Sequence, residues 1–130
     1  MNTSNINKLA SLSASHATRF SSAITRRPAA SAVDGLRAQD IGTVDIKMMA
    51  RQHSDYQDAL RQAGAVVTEL PALPNYPDAQ FVEDTALCLP SLAVMMRPKA
   101  ETRRGEVVPM RQALSTIFDE FDSSCNSLSI

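Results

Sequence analysis

Pro77-Asp78-Ala79-Gln80-Phe81-Val82-Glu83-Asp84-Thr85-Ala86-Leu87-Cys88-Leu89-Pro90 sets three carboxylates beside a run of apolar, β-favouring residues. Phe81 and Val82 lead into Glu83 and Asp84, and Ala86, Leu87 and Leu89 lead out. On a strand, neighbouring side chains alternate faces, so Glu83 and Asp84 would point to opposite sides. At least one of them would then face inward or into a cleft. A buried carboxylate is costly unless it is paired or hydrogen-bonded. The segment therefore needs a cationic partner from the same chain or a cationic ligand. From the residues alone, three roles are open: an internal ion-pair network, a pocket for a cationic ligand, or a divalent-metal site. The Asp-x4-Glu-Asp spacing is not that of an EF-hand and offers no complete metal shell.

Outward from this stretch, the spacing predicts a hairpin. Thr85 to Leu89 reads as one strand, Pro90-Ser91 as the turn, and Leu92 to Met96 as the return strand. Cys88 reads as a small buried strand residue. Upstream, Pro71, Pro74 and Pro77 stiffen the approach, and Ala65 to Leu70 reads as a strand that Pro71 stops. Before it, Ile46, Met49, His53, Tyr56, Leu60 and Ala63 recur at helical spacing, predicting a helix from Thr43 or Asp45 to about Ala63. Asp45 suits the first turn of that helix, and Gly64 its stop. His53 lies on the apolar stripe, where a packed histidine is expected rather than a catalytic one.

Phe20 to Arg26 reads as the first strand, and Ala29 to Gly42 as a loop with a turn at Asp34-Gly35. Beyond the hairpin, Glu101 to Glu106 is a charged connection, and Met110, Leu114, Ile117, Phe118 and Phe121 form a second helical stripe. Three regions result: a disordered leader over 1–22, a folded portion over 23–121, and an irregular tail over 122–130.

The chain has 130 residues, 44% of them hydrophobic, and a formal net charge of −1. Near-neutral charge excludes a binder of nucleic-acid backbone, which needs a concentrated basic stripe. No apolar run approaches the roughly 20 residues of a membrane-spanning helix. Two cysteines, Cys88 and Cys125, make no disulfide framework, which points to a reducing, cytoplasmic setting. Trp is absent and aromatics make up 5%, so the core must rest on Leu, Ile, Val, Met and Ala.

Tyr76-Pro77-Asp78 followed by Phe81-Val82-Glu83-Asp84-Thr85 resembles the substrate-binding segment of the dimethylarginine dimethylaminohydrolases. These belong to the guanidino-group-modifying superfamily that also holds arginine deiminases and amidinotransferases. Two further blocks agree in order and spacing: Arg26-Arg27-Pro28-Ala29 through Val33-Asp34-Gly35-Leu36, and Arg97-Pro98 through Arg103-Arg104-Gly105-Glu106. The resemblance implies an α/β fold of the pentein type, an α/β-propeller that closes five ββαβ units around a channel. This chain has length for about the first unit.

The resemblance also implies roles. Asp84 matches the carboxylate that grips a guanidinium most directly, and Glu83 a supporting channel residue. Asp78 matches a contact near the substrate α-amino end, Arg103 the arginine that meets the substrate carboxylate, and Leu36 a backbone contact and apolar cover on a lid. Arg26 matches an arginine that sets the channel charge, against the plainer reading of a solvated edge-strand residue. The implied partner is a small cationic amino acid, methylated arginine or arginine. Carboxylates facing a planar cation and an arginine facing a carboxylate are chemically complementary to it.

Full-length relatives attack the guanidinium carbon with a cysteine, release methylamine or dimethylamine, and hydrolyse the covalent intermediate to citrulline while a histidine moves protons. No metal or organic cofactor is implied. The catalytic set is expected to be incomplete in this chain, with Cys125-Asn126-Ser127-Leu128 only a faint counterpart of the nucleophile's surroundings. The expectation is a substrate-side fragment of such a hydrolase. The alternatives are an arginine deiminase-like fragment, or a noncatalytic remnant that associates through an exposed strand or apolar face.

Overall fold

The computed structural model describes residues 20–39, 42–89, 92–117 and 121–122. Its longest element is helix α1 (Ile46–Gln62). Asp45 stands just outside it as the N-cap, with Oδ1 accepting from the amides of Lys47 and Met48 at 2.9 and 3.0 Å. Two of the donors that every helix start leaves unpaired are thereby satisfied. At the other end Gly64 adopts a φ of 95°. Its amide donates to the Arg61 carbonyl at 2.9 Å, and that of Ala65 to the Leu60 carbonyl at 3.0 Å. These are the two bonds of a Schellman stop.

The inward face of α1 departs from the expected stripe. Ile46, Met49, His53 and Leu60 are half-buried, but Tyr56 is 56% exposed, Ala63 is exposed, and Gln57 is buried. Gln57 finds acceptors inside: Nε2 donates to Thr25 Oγ1 at 2.8 Å and to Glu69 Oε1 at 3.0 Å, and lies 3.1 Å from His53 Nε2. A satisfied amide tolerates burial. Drawing Gln57 inward turns its neighbour Tyr56 outward, because successive helical residues are rotated by about 100°.

Helix α1 carries the chain from β1 (Ser22–Arg26) to β2 (Val66–Leu70). The two strands pair in parallel, Ser22 opposite Val66 and Arg26 opposite Leu70. A parallel pair needs such a crossover. The expected hairpin forms a second sheet from β3 (Ala86–Cys88) and β4 (Ala93–Met95), antiparallel with Ala86 opposite Met95. Leu89 donates to the Leu92 carbonyl at 2.8 Å to close its turn. Cys88 is exposed, not buried as its strand position suggested.

Helix α2 (Val107–Leu114) carries Met110 and Leu114 as expected. Past its end, Ser115 Oγ and Thr116 Oγ1 each donate at 2.8 Å to the carbonyl three residues back, Gln112 and Ala113 respectively. Such back-bonding offers the chain an alternative to helix. Phe121 therefore lies not on the helical stripe but in β5 (Phe121–Asp122), which pairs in parallel with β4 and takes Asp122 out of the irregular tail. Ser22, the last residue of the expected leader, opens β1, while residues 1–19 of that leader, Phe118 and the rest of the tail fall outside the described residues.

The core sits between the second sheet and α2. Ala93, Met95, Met110 and Leu114 are buried, with Ile24, Leu70, Val82, Ala86 and Val107 packed against them. It is aliphatic and small, as the composition requires. Much of the remaining interior is polar: Arg26, Asp78, Arg103 and Glu106 are all buried.

Candidate functional site

The parallel strands β1 and β2 end together at Arg26 and Leu70, where the Arg27 amide donates to the Leu70 carbonyl at 3.0 Å. Open α/β sheets bind ligands beyond such ends. Arg26 is not solvated there: it is buried, and Nη1 donates to the Pro71 carbonyl at 2.8 Å. Burial lowers its pKa, and the nearby Glu106 carboxylate opposes that.

The acidic stretch is not a strand. A turn of 3-10 helix runs over Val82–Asp84, and β3 begins only at Ala86. The amide of Ala79 donates to the Tyr76 carbonyl, Phe81 to Asp78, Asp84 to Phe81 and Thr85 to Val82, at 3.0 to 3.4 Å. Glu83 and Asp84 therefore project from a turn and do not alternate across a sheet. Thr85 Oγ1 donates to the Val82 carbonyl at 2.7 Å and is itself buried, which fixes the exit from the turn.

What curls this backbone is Arg103, in a second 3-10 turn, Glu101–Glu106. Its Nη2 donates to the Asp78 carbonyl at 3.1 Å and to the Phe81 carbonyl at 3.0 Å. Its Nε and the same Nη2 also take Glu106 Oε1 and Oε2 at 3.1 and 2.9 Å, and Nη1 donates to Asp84 Oδ2. Burial would lower the guanidinium pKa, but the hydrogen bonds and charges of Glu106 and Asp84 win and raise it. Arg104 turns the other way, with Nη1 on Glu101 Oε1 at 2.9 Å.

Asp78 joins the acidic turn to the loop after β1. Both its carboxylate oxygens lie 3.1 Å from the Leu36 amide, which donates to them, and Asp78 is buried. The Leu36 side chain remains 61% exposed. Gly35 makes this approach feasible, since a Cβ there would stand 2.7 Å from Asp78 Oδ1. Similarly, a Cβ on Gly105 would stand 2.0 Å from the hydroxyl of Tyr76, so the two turns meet through the lack of a side chain.

Leu36, Glu83, Asp84 and Arg103, four of the five candidate substrate-binding residues, line one cleft of about 430 Å³. The fifth, Asp78, stands behind it and holds Leu36. The segment from Met96 to Ala100 forms another wall and contributes Arg97 and Lys99, which the sequence reading did not select. Their signal was available: Arg97 and Lys99 are exposed on either side of buried Pro98, the alternation of an extended segment. The cleft thus carries both signs of charge, Glu83 and Asp84 against Arg97, Lys99 and Arg103.

Neither histidine nor cysteine joins this cleft among the described residues. His53 is held in the Gln57–Glu69 network on α1, 3.7 Å from Glu69 Oε1. Cys88 lies instead on a mainly apolar groove of about 440 Å³ that Ile24, Val82, Met110, Leu114 and Ile117 also line and that shares Glu83 with the cleft. Cys125 falls outside the described residues. Among those residues no helix is long and apolar enough to cross a membrane.

No protein-family model matches the chain. It is 37% identical over 99 residues to a dimethylarginine dimethylaminohydrolase of Pseudomonas aeruginosa, covering 76% of this chain and 39% of that one. A dimethylarginine dimethylaminohydrolase of Streptomyces coelicolor is 30% identical over 96 residues, covering 73% of this chain and 37% of its own length. Among solved structures, a dimethylarginine dimethylaminohydrolase adduct with S-methyl-L-thiocitrulline and a variant of the Pseudomonas aeruginosa enzyme complexed with citrulline each superpose with a TM-score of 0.74 at 36% identity. Each alignment covers 76% of this chain and 39% of the solved one. The chain therefore spans about two-fifths of the length of these relatives. Its α/β fold is that of a part of their structures, and the chain is a homologue of the dimethylarginine dimethylaminohydrolase family, related to it across that part.

Proposed function

We propose that this chain is the substrate-side portion of a methylarginine hydrolase, about the first ββαβ unit of a five-unit pentein fold. It binds an amino acid with a guanidino side chain and carries part of the machinery that converts methylated arginine and water to citrulline and methylamine or dimethylamine. The observation that carries this reading is the convergence of Leu36, Glu83, Asp84 and Arg103 on one cleft. Asp84 is 51% exposed at its side chain, so one carboxylate edge is open to a planar cation even though Arg103 holds Oδ2. Charge-assisted hydrogen bonds from a guanidinium to Glu83 and Asp84 supply orientation as well as energy. Asp78 acts on the ligand through Leu36, whose amide it anchors and whose side chain covers the cleft.

The covalent step belongs to groups outside this cleft, since a cysteine nucleophile needs a base within hydrogen-bond reach. Titration calorimetry of the 130-residue chain with dimethylarginine, monomethylarginine and arginine, together with an assay for citrulline, tests the reading. Saturable binding of a methylated arginine, weakened by Asp84→Asn and Glu83→Gln, without citrulline formation, is expected. Preference for unmethylated arginine would favour an arginine deiminase-like origin. Turnover lost on Cys125→Ala would overturn the division of labour.

A second reading is favoured by the apolar groove and by the 54% exposure of Ile117, which lines it. Here the chain associates with a second copy through that face. Sedimentation velocity over a range of concentrations separates the two, a single concentration-independent species excluding self-association.

A further inference from the structure

A cleft that takes a cationic side chain needs net negative charge where the cation sits, and its own lining does not provide it. Arg97, Lys99 and Arg103 stand there against Glu83 and Asp84. The carboxylate of Asp84 is moreover already engaged, since Arg103 Nη1 donates to its Oδ2. A guanidinium in hydrogen-bond contact cancels much of the attraction that a carboxylate exerts on a second cation, and the two cations repel. With Arg103 alone beside it, Asp84 would be a poor partner for another guanidinium.

The compensating charge lies on another edge of the same side chain. Glu106 takes Arg103 in a fork, Nε on Oε1 at 3.1 Å and Nη2 on Oε2 at 2.9 Å, with the Glu106 side chain 2% exposed. A charge held out of water is screened far less than those of exposed Arg97 and Lys99. Arg103 is thus shared between two carboxylates, buried Glu106 and half-exposed Asp84, and the three groups together are negative. Glu106 also offsets the charge of buried Arg26. The other buried carboxylate, Asp78, is turned to the Leu36 amide, so the balance at Arg103 falls to Glu106.

We infer that Glu106, which does not itself line the cleft, is a positioning residue that sets the preference of the cleft for a cation. By holding Arg103 from a buried side, it leaves Asp84 with net negative charge to offer the guanidino group of the ligand. The inference rests on the proposed reading of the cleft as a guanidino amino-acid site.

The test reads charge preference, which loss of structure alone would not move. NG,NG-dimethyl-L-arginine carries a guanidinium, L-citrulline carries a neutral urea in its place, and the amino-acid ends are identical. Titration calorimetry gives the ratio of the two affinities. Wild-type chain should favour the cation. In Glu106→Gln that ratio should fall about tenfold, the effect of a unit charge roughly 10 Å away at the effective dielectric of a protein. In Arg103→Gln/Glu106→Gln, which removes one charge of each sign, the ratio should stand near the wild-type value even if both ligands bind more weakly. An unchanged ratio in Glu106→Gln, with both affinities reduced alike, would show a structural role only and overturn the inference while the cleft reading stands. If circular dichroism shows Glu106→Gln unfolded, the double variant decides, because it strands neither member of the buried pair. A ratio held near wild type there is the expected result, and a tenfold loss overturns the inference. Equal wild-type affinities for the two ligands would also overturn it, since there would be no charge preference to set. If wild-type chain binds neither ligand, the cleft reading falls, and this inference falls with it.

Discussion

Arg103 and Glu106 meet as a fork across one 3-10 turn, Nε on Oε1 at 3.1 Å and Nη2 on Oε2 at 2.9 Å, with the Glu106 side chain 2% exposed. This pair is the hinge pin of the candidate site, because the same guanidinium holds the carbonyls that bend the acidic turn. Removing one member of a buried pair strands the other. Glu106→Gln should therefore lower stability by about 3 kcal/mol, whereas Asp84→Asn, at a half-exposed partner, should cost under about 1 kcal/mol. Urea unfolding of the two variants measures the difference. Equal losses would show that the pair is not the dominant tie.

The contact of Gly105 with Tyr76 predicts a different kind of sensitivity. A Cβ at position 105 would lie 2.0, 2.7 and 2.9 Å from three atoms of the Tyr76 ring and hydroxyl. Overpacking of this sort costs typically 1–3 kcal/mol, roughly. Gly105→Ala should be destabilising, and Tyr76→Ala in the same chain should recover part of the loss. A double-mutant cycle by thermal unfolding reads that coupling, which additive effects would refute.

The joint between Asp78 and Leu36 makes a third case, this time for local order. Asp78→Ala leaves the Leu36 amide without its acceptor and unties the loop after β1 from the acidic turn. Exchange of the Leu36 amide with solvent should accelerate well beyond the change in global stability. Exchange that tracks global unfolding alone would mean that the loop is held by other ties.

Much of this architecture was legible where its cause is local. Asp45 and Gly64 bound α1 through bonds within five residues, and the Thr85–Met96 hairpin closes on itself, so spacing and caps suffice to find them. The misreadings share a cause at long range. Gln57 displaces Tyr56 from the buried face because Thr25 and Glu69 arrive from two strands to receive it. The acidic stretch has the composition of a strand but curls because Arg103, distant in sequence, binds its carbonyls. Arg97 and Lys99 went unselected because the alternation around Pro98 does not say which cleft an exposed cation will line.

Acid should loosen the α1–sheet contact in two steps, and the signs follow from the His53–Gln57–Glu69–Arg27 cluster. Burial lowers the His53 pKa, with Glu69 opposing and Arg27 reinforcing that shift. A histidine kept neutral by folding binds protons more readily when unfolded, so its contribution is lost as pH falls from the ordinary value near 6.5 towards the lower folded value. Glu69 is depressed chiefly by its hydrogen bond from Arg27, with Gln57 assisting and burial opposing. Its contribution is present above the unfolded carboxylate pKa and is lost as pH falls through the still lower folded one. Melting temperature recorded from pH 7.5 to 3 should therefore decline first below neutrality and again in the carboxylate range. His53→Gln should flatten the first decline, while Glu69→Gln should flatten the second. Because the Glu69 side chain is 26% exposed and that of Arg27 is 65% exposed, the second effect should also shrink in 0.5 M salt, roughly as screening of a surface pair requires. Glu69 acid sensitivity indifferent to salt would place its stabilisation in the part-buried contact with Gln57.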